Sequence, residues 1–137
     1  YYEETPDKAE FLIYGATPDF MRNSPERIFK MTVEELHDFC KKNGWILSQA
    51  HPFRTMISYH HPEFLDAAEV INDNPRQQNN NDLAIKYAKE NNLIQTAGSD
   101  FHEPQDARAG VLLKNAVNSE KELVSELKKR VHEPFAL

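Results

Sequence analysis

The chain has 137 residues, with 22 acidic against 16 basic side chains and a formal net charge of -6. That length is one domain's worth, and the acidic balance argues against a nucleic-acid surface, which needs clustered Lys and Arg to neutralise phosphates. No apolar run approaches the ~20 residues of a membrane span, nothing resembles a signal peptide, and the single Cys40 allows no internal disulfide, so a soluble chain of a reducing, cytoplasmic compartment is expected.

In chain order, the apolar run Phe11 to Tyr14 predicts a strand, and Ser24-Pro25 a short helix with proline at its first position. Thr32-Val-Glu-Glu35 fits a capping box and opens an amphipathic helix that carries Val33, Leu36, Phe39 and Cys40 on one face. Cys40 therefore reads as a packing residue. Asn43-Gly44 turns that helix into a strand at Trp45 to Leu47, after which Pro52 to Leu65 is a long irregular segment. A strand at Ala67 to Ile71 leads through a polar loop, Gln77 to Asp82, to a helical run that follows Asn79-Asn-Asn-Asp82, with Leu83, Ala84, Tyr87 and Ala88 on one face. Asn91-Asn92 turns into a strand at Leu93 to Thr96, followed by one at Val111 to Leu113. Ser119-Glu-Lys-Glu122 fits a second capping box, opening a last helix that ends in Lys128-Lys129-Arg130, where cations complement the helix dipole. The strands lack polar alternation, as strands buried on both faces do, and the order of elements predicts an α/β fold with a mostly parallel sheet. The chain opens Tyr-Tyr-Glu-Glu without methionine, which reads as a piece of something longer.

In parallel α/β architectures functional residues gather at the carboxyl ends of strands. Three strand ends here carry polar groups: His51 in His-Pro-Phe-Arg54, the Asn72-Asp73-Asn74 cluster, and Asp100 with His102 in Ala97-Gly-Ser-Asp-Phe-His-Glu-Pro104. Positions i and i+2 of an extended chain project to one side, so Asp100 and His102 suit a divalent cation; the competing reading is a turn. A metal at such a rim points to hydrolysis by activated water. Arg54 suits either a phosphate or a rim ion pair. His37 and His132 read as structural or solvated, and His60-His61 as either surface residues or part of a substrate loop. Neither a G-x-S-x-G nucleophile motif nor a G-x-G-x-x-G or Walker loop occurs.

Taken together and in order, Ser48-Gln-Ala-His-Pro-Phe-Arg54, Glu69-Val-Ile-Asn72 and Thr96-Ala-Gly-Ser-Asp-Phe-His102 resemble the later motifs of the polymerase and histidinol phosphatase (PHP) family. The resemblance covers roughly residues 45 to 113. It implies a distorted (β/α)7 barrel that holds two or three divalent ions, zinc, manganese or iron, and hydrolyses small phosphorylated substrates. His51 resembles the ligand of the family's A-H-P motif, and Asp100 and His102 resemble those of its G-S-D-x-H motif. Glu69 and Asn72 match a pocket-lining or supporting strand, and Arg54 a position near substrate phosphate. The family's H-x-H pair, D-H histidine and bridging glutamate have no counterpart here, and Glu10 stands where a further ligand histidine is usual, as a carboxylate substitute. The implied unit is a single partial domain over residues 1–137, the carboxyl-terminal portion of the barrel without its first strands. Such a piece is expected to have little phosphatase activity alone and to self-associate through open barrel edges. Two alternatives stand beside the phosphoesterase: a metal-dependent amidohydrolase or deaminase, and a non-catalytic barrel that binds a partner or regulates an assembly.

Overall fold

The computed structural model describes residues 2–4, 8–23, 25–58 and 61–137; Ser24 and His60 lie outside them. Strands β1 (Tyr2–Glu4), β2 (Lys8–Tyr14), β3 (Ile46–Gln49), β4 (Ala67–Asn72) and β5 (Ile94–Gly98) form one sheet in sequence order. Helices α1 (Pro18–Asn23), α2 (Pro25–Ile28) and α3 (Val33–Asn43) fall between β2 and β3, and α4 (Asn81–Glu90) between β4 and β5. Beyond β5, strands β6 (Ala109–Leu112) and β7 (Glu133–Ala136) pair as a small antiparallel sheet around α5 (Glu120–Lys129). The fold is mixed α/β with an open sheet, and the described residues form no closed barrel.

Residues of β3 and β4 alternate between two cores, as period-2 strands must. Leu47, Ala68 and Val70 pack with Val33, Leu36 and Cys40 of α3 and Ala84, Tyr87 and Ala88 of α4. Ile46 and Ala67 turn the other way, onto Ile94 and onto Val124 and Leu127 of α5. Helices thus cover both faces, which explains the unalternating apolar strands. No helix among the described residues is long and apolar enough to cross a membrane.

The capping box of α3 forms in full: Thr32 Oγ1 accepts from the Glu35 amide at 3.2 Å, and Glu35 Oε2 accepts from the Thr32 amide at 2.9 Å. Gly44 ends the helix at φ 74°, a conformation that favours glycine. At α5 only half the expected box is present. Ser119 accepts from the Glu122 amide, but the Glu122 carboxylate takes the Asn118 amide instead of that of Ser119.

The expectation of a mostly parallel sheet needs correction. Strands β3, β4 and β5 are parallel, whereas β2 runs antiparallel to both β1 and β3. A parallel crossover uses one returning helix. Here α1, α2 and α3 give an outward and a return path, so the chain re-enters the sheet at the end it left, with Tyr14 opposite Ile46. Strands β1 and β7 were not foreseen: β1 is three residues long, and β7 contains Pro134, which suits only an edge.

Cys40 is fully buried, and its thiol is pushed up to about 12, first by burial and then by the charge of Asp66. Iodoacetamide near neutral pH is therefore expected to leave Cys40 unmodified in the folded chain and to label it in urea. Rapid labelling without denaturant would show that α3 does not pack as described.

Candidate functional site

The parallel run of β3, β4 and β5 brings their carboxyl ends to one rim, and the reversed β2 brings its beginning to the same rim. The Ala50 amide donates to the Glu10 carbonyl at 2.9 Å, which seats the Glu10 side chain beside His51. Glu10 Oε2 lies 3.1 Å from His51 Nε2. The two side chains are hydrogen-bonded to each other at that distance, which is close to the about 3.3 Å that separates two ligands held ~2.0–2.2 Å from a tetrahedral ion. His51 is buried, and its Nδ1 has no hydrogen-bond partner among the described residues.

His51 sits at φ 28°, a strained value for a residue with a side chain. Its amide is fixed by Glu69 Oε2 at 2.9 Å, an oxygen that also accepts from Asn72 Nδ2 at 2.9 Å. Glu69 is itself buried. Burial pushes its carboxyl up, and the hydrogen bonds from Asn72 and from the His51 amide offset part of that rise. Gly98 of β5 leaves room for the carboxylate, since a Cβ there would stand 2.4 Å from Glu69 Oε1.

Arg54 continues the connection. Its Nε donates to Asn79 Oδ1 at 2.8 Å, and its Nη2 to Asn72 Oδ1 at 3.1 Å and to Asp100 Oδ2 at 2.5 Å. Of the two roles open to it, Arg54 here makes the rim ion pair. Burial pushes the Asp100 carboxyl up, but the hydrogen bond and charge of Arg54 outweigh it and hold the group below its ordinary value. Asp100 is at φ 48°, and Asn74 Nδ2 reaches both its carbonyl and its carboxylate, at 3.2 and 3.3 Å.

His102 is placed differently from His51. Its side chain is 67% exposed, and its Nδ1 lies 2.7 Å from the Asp100 carbonyl. Asp106 fixes the loop that carries it. That fully buried carboxylate accepts from the His102 and Glu103 amides, at 3.0 and 2.9 Å, and pairs with both terminal nitrogens of Arg76.

Arg76 and Asp106 were not foreseen in the sequence, although Glu103-Pro-Gln-Asp106, with proline at the first position and an acid two residues later, is a capping signal. By spacing alone, Asn79 to Asn81 belong to a polar loop. In the fold they form a floor: Asn79 and Asn81 donate to the Asn72 carbonyl, and Asn80 to that of Phe53. His61 is exposed beside Glu63, His37 faces Asp66, and His132 meets the Gln95 carbonyl, so these three lie apart from the rim network.

Glu10 and His51 fit two ligands of a divalent ion in chemistry and spacing. The whole set does not fit one: among the described residues no group of three or more His, Cys, Asp or Glu side chains is arranged to hold a metal. Asp100 is engaged by Arg54, and the His102 ring stands in solvent.

Residues 78–131 match the model of the PHP-associated family, a stretch that includes Asp100, His102 and Asp106. The match supports a PHP-domain carboxyl-terminal part. No curated protein matches the chain.

The Asp106 carboxyl lies well below its ordinary value of 3.8, first because Arg76 bonds it and also because the two amides favour its charged form. A depressed native value gives stability that is complete above the unfolded value and is lost as pH falls toward the native one. Urea unfolding of the wild type should therefore weaken steadily below about pH 4, and Asp106→Asn should narrow its deficit relative to wild type over the same range. A constant deficit would remove Asp106 from the acid response.

Proposed function

We propose that the chain is the carboxyl-terminal part of a PHP-type, metal-dependent phosphoesterase barrel, in which Glu10, His51, Asp100 and His102 contribute donors to a site of two or three divalent ions. The observation that carries this reading is the Glu10–His51 pair, two donors 3.1 Å apart on the rim where Asp100 also emerges. The remaining donors would come from residues outside this chain, joined at the open side of the sheet where β1 is the edge. The same open edge favours self-association when those strands are absent. Divalent ions held there would supply an activated water and neutralise an ester phosphate, and zinc, manganese and iron all accept His and carboxylate donors.

Other residues of this chain position those donors. Glu69 holds the backbone that aims His51, Arg54 holds Asp100, and Asp106 holds the His102 loop. With the donors split into two pairs, the chain alone is expected to hold metal weakly and to hydrolyse phosphate esters negligibly. A cytoplasmic setting accords with the single buried thiol.

Metal content measured by inductively coupled plasma mass spectrometry tests the assignment. The wild type should carry zinc, manganese or iron below stoichiometry, and both Glu10→Gln/His51→Ala and Asp100→Ala/His102→Ala should carry less. Equal content in all three would refute the assigned donors. Strong p-nitrophenyl phosphate turnover by the monomeric chain would refute the need for further donors.

A further inference from the structure

We propose that Arg54 is a positioning residue and not a phosphate anchor: with Asn72 it couples the His51 side of the rim to the Asp100 side. This inference rests on the reading above in one respect, that His51 and Asp100 serve one site.

The geometry joins the two sides without a gap. Glu69 Oε2 accepts from the His51 amide and from Asn72 Nδ2, Asn72 Oδ1 accepts from Arg54 Nη2, and the same Nη2 donates to Asp100 Oδ2. Charge alternates along this path as carboxylate, amide dipole, guanidinium and carboxylate. The Asn72 carboxamide is locked in one orientation, because its nitrogen must face the Glu69 carboxylate and its oxygen the guanidinium; a flip would set donor against donor and acceptor against acceptor.

Both ends of the path are residues in the left-handed region, His51 at φ 28° and Asp100 at φ 48°. Such conformations persist only where surrounding contacts over-determine them. The Glu69 bond to the His51 amide does this at one end, and the Arg54 and Asn74 bonds to the Asp100 carboxylate at the other. Arg54 is also poorly placed to receive a phosphate. Its side chain is 12% exposed, its Nε is committed to Asn79, and an incoming anion would have to displace Asp100 and then lie against that carboxylate. Lysine at this position would supply charge without the planar fork that reaches three acceptors.

Proton–nitrogen NMR of the metal-free chain tests this. Inorganic phosphate titrated into the wild type should leave the Arg54 Nε–H resonance in place. In Arg54→Lys the His51 amide should exchange with solvent about tenfold faster, the size of one lost charge-assisted hydrogen bond, while the Leu36 and Cys40 amides of α3 keep their protection. A phosphate-dependent shift of Arg54 Nε–H would overturn the proposal, and so would an unchanged His51 amide in the folded variant. Should Arg54→Lys fail to fold, the wild-type titration alone decides. Because no metal is present, a chain that passes this test yet binds no ion refutes the donor assignment above and leaves the coupling role of Arg54 standing.

Discussion

The carboxylate of Glu69 is buried at the rim where β3, β4 and β5 end, and the arrangement around it follows from how that charge is satisfied. An ionised carboxylate taken out of water costs several kcal/mol unless donors replace the lost hydration. Two donors do so here, the His51 amide and the Asn72 carboxamide. The first sets the backbone that carries a candidate ligand. The second turns its carboxamide oxygen to Arg54, which in turn holds Asp100. The absence of a side chain at Gly98 gives the carboxylate its place, since a Cβ there would collide with Oε1. Across the sheet, Tyr14 meets Thr96 by a side-chain hydrogen bond, so polar groups continue inward from the rim on this face.

The direction of β2 decides which residues can join this arrangement. A parallel β2 would place Glu10 at the opposite end of the sheet from His51. The antiparallel register, Phe11 opposite Gln49 and Tyr14 opposite Ile46, brings the start of β2 to the rim and makes the Glu10–His51 pair. The second pair, Asp100 and His102, depends on a different support. Its loop is fixed from below by Asp106, whose carboxylate pairs with Arg76 and accepts from the His102 and Glu103 amides.

Much of the fold was legible because its signals are local. The Thr32 capping box, the Gly44 terminator and the apolar faces of α3, α4 and α5 each lie within about a dozen residues of chain. The rim positions of His51, Asn72 and Asp100 followed from strand ends read in the same way. What was not legible depends on distant partners. The direction of β2 is set by the path of three helices, and the partners of Arg54 lie 18, 25 and 46 positions away. Sequence could therefore offer Arg54 a phosphate or an ion pair and had no means to choose. Likewise, the asparagines from Asn79 to Asn81 looked like a solvated loop because the Asn72 and Phe53 carbonyls they bind cannot be inferred from spacing.

The account turns on His51 being a ligand aimed by its surroundings, and the most direct measurement is the nitrogen NMR of its imidazole during a zinc titration. The account predicts that the Nε2 resonance of the wild-type chain moves as zinc is added and that Glu10→Gln weakens or abolishes the movement. A wild-type Nε2 that stays in place while exposed histidines respond would contradict it.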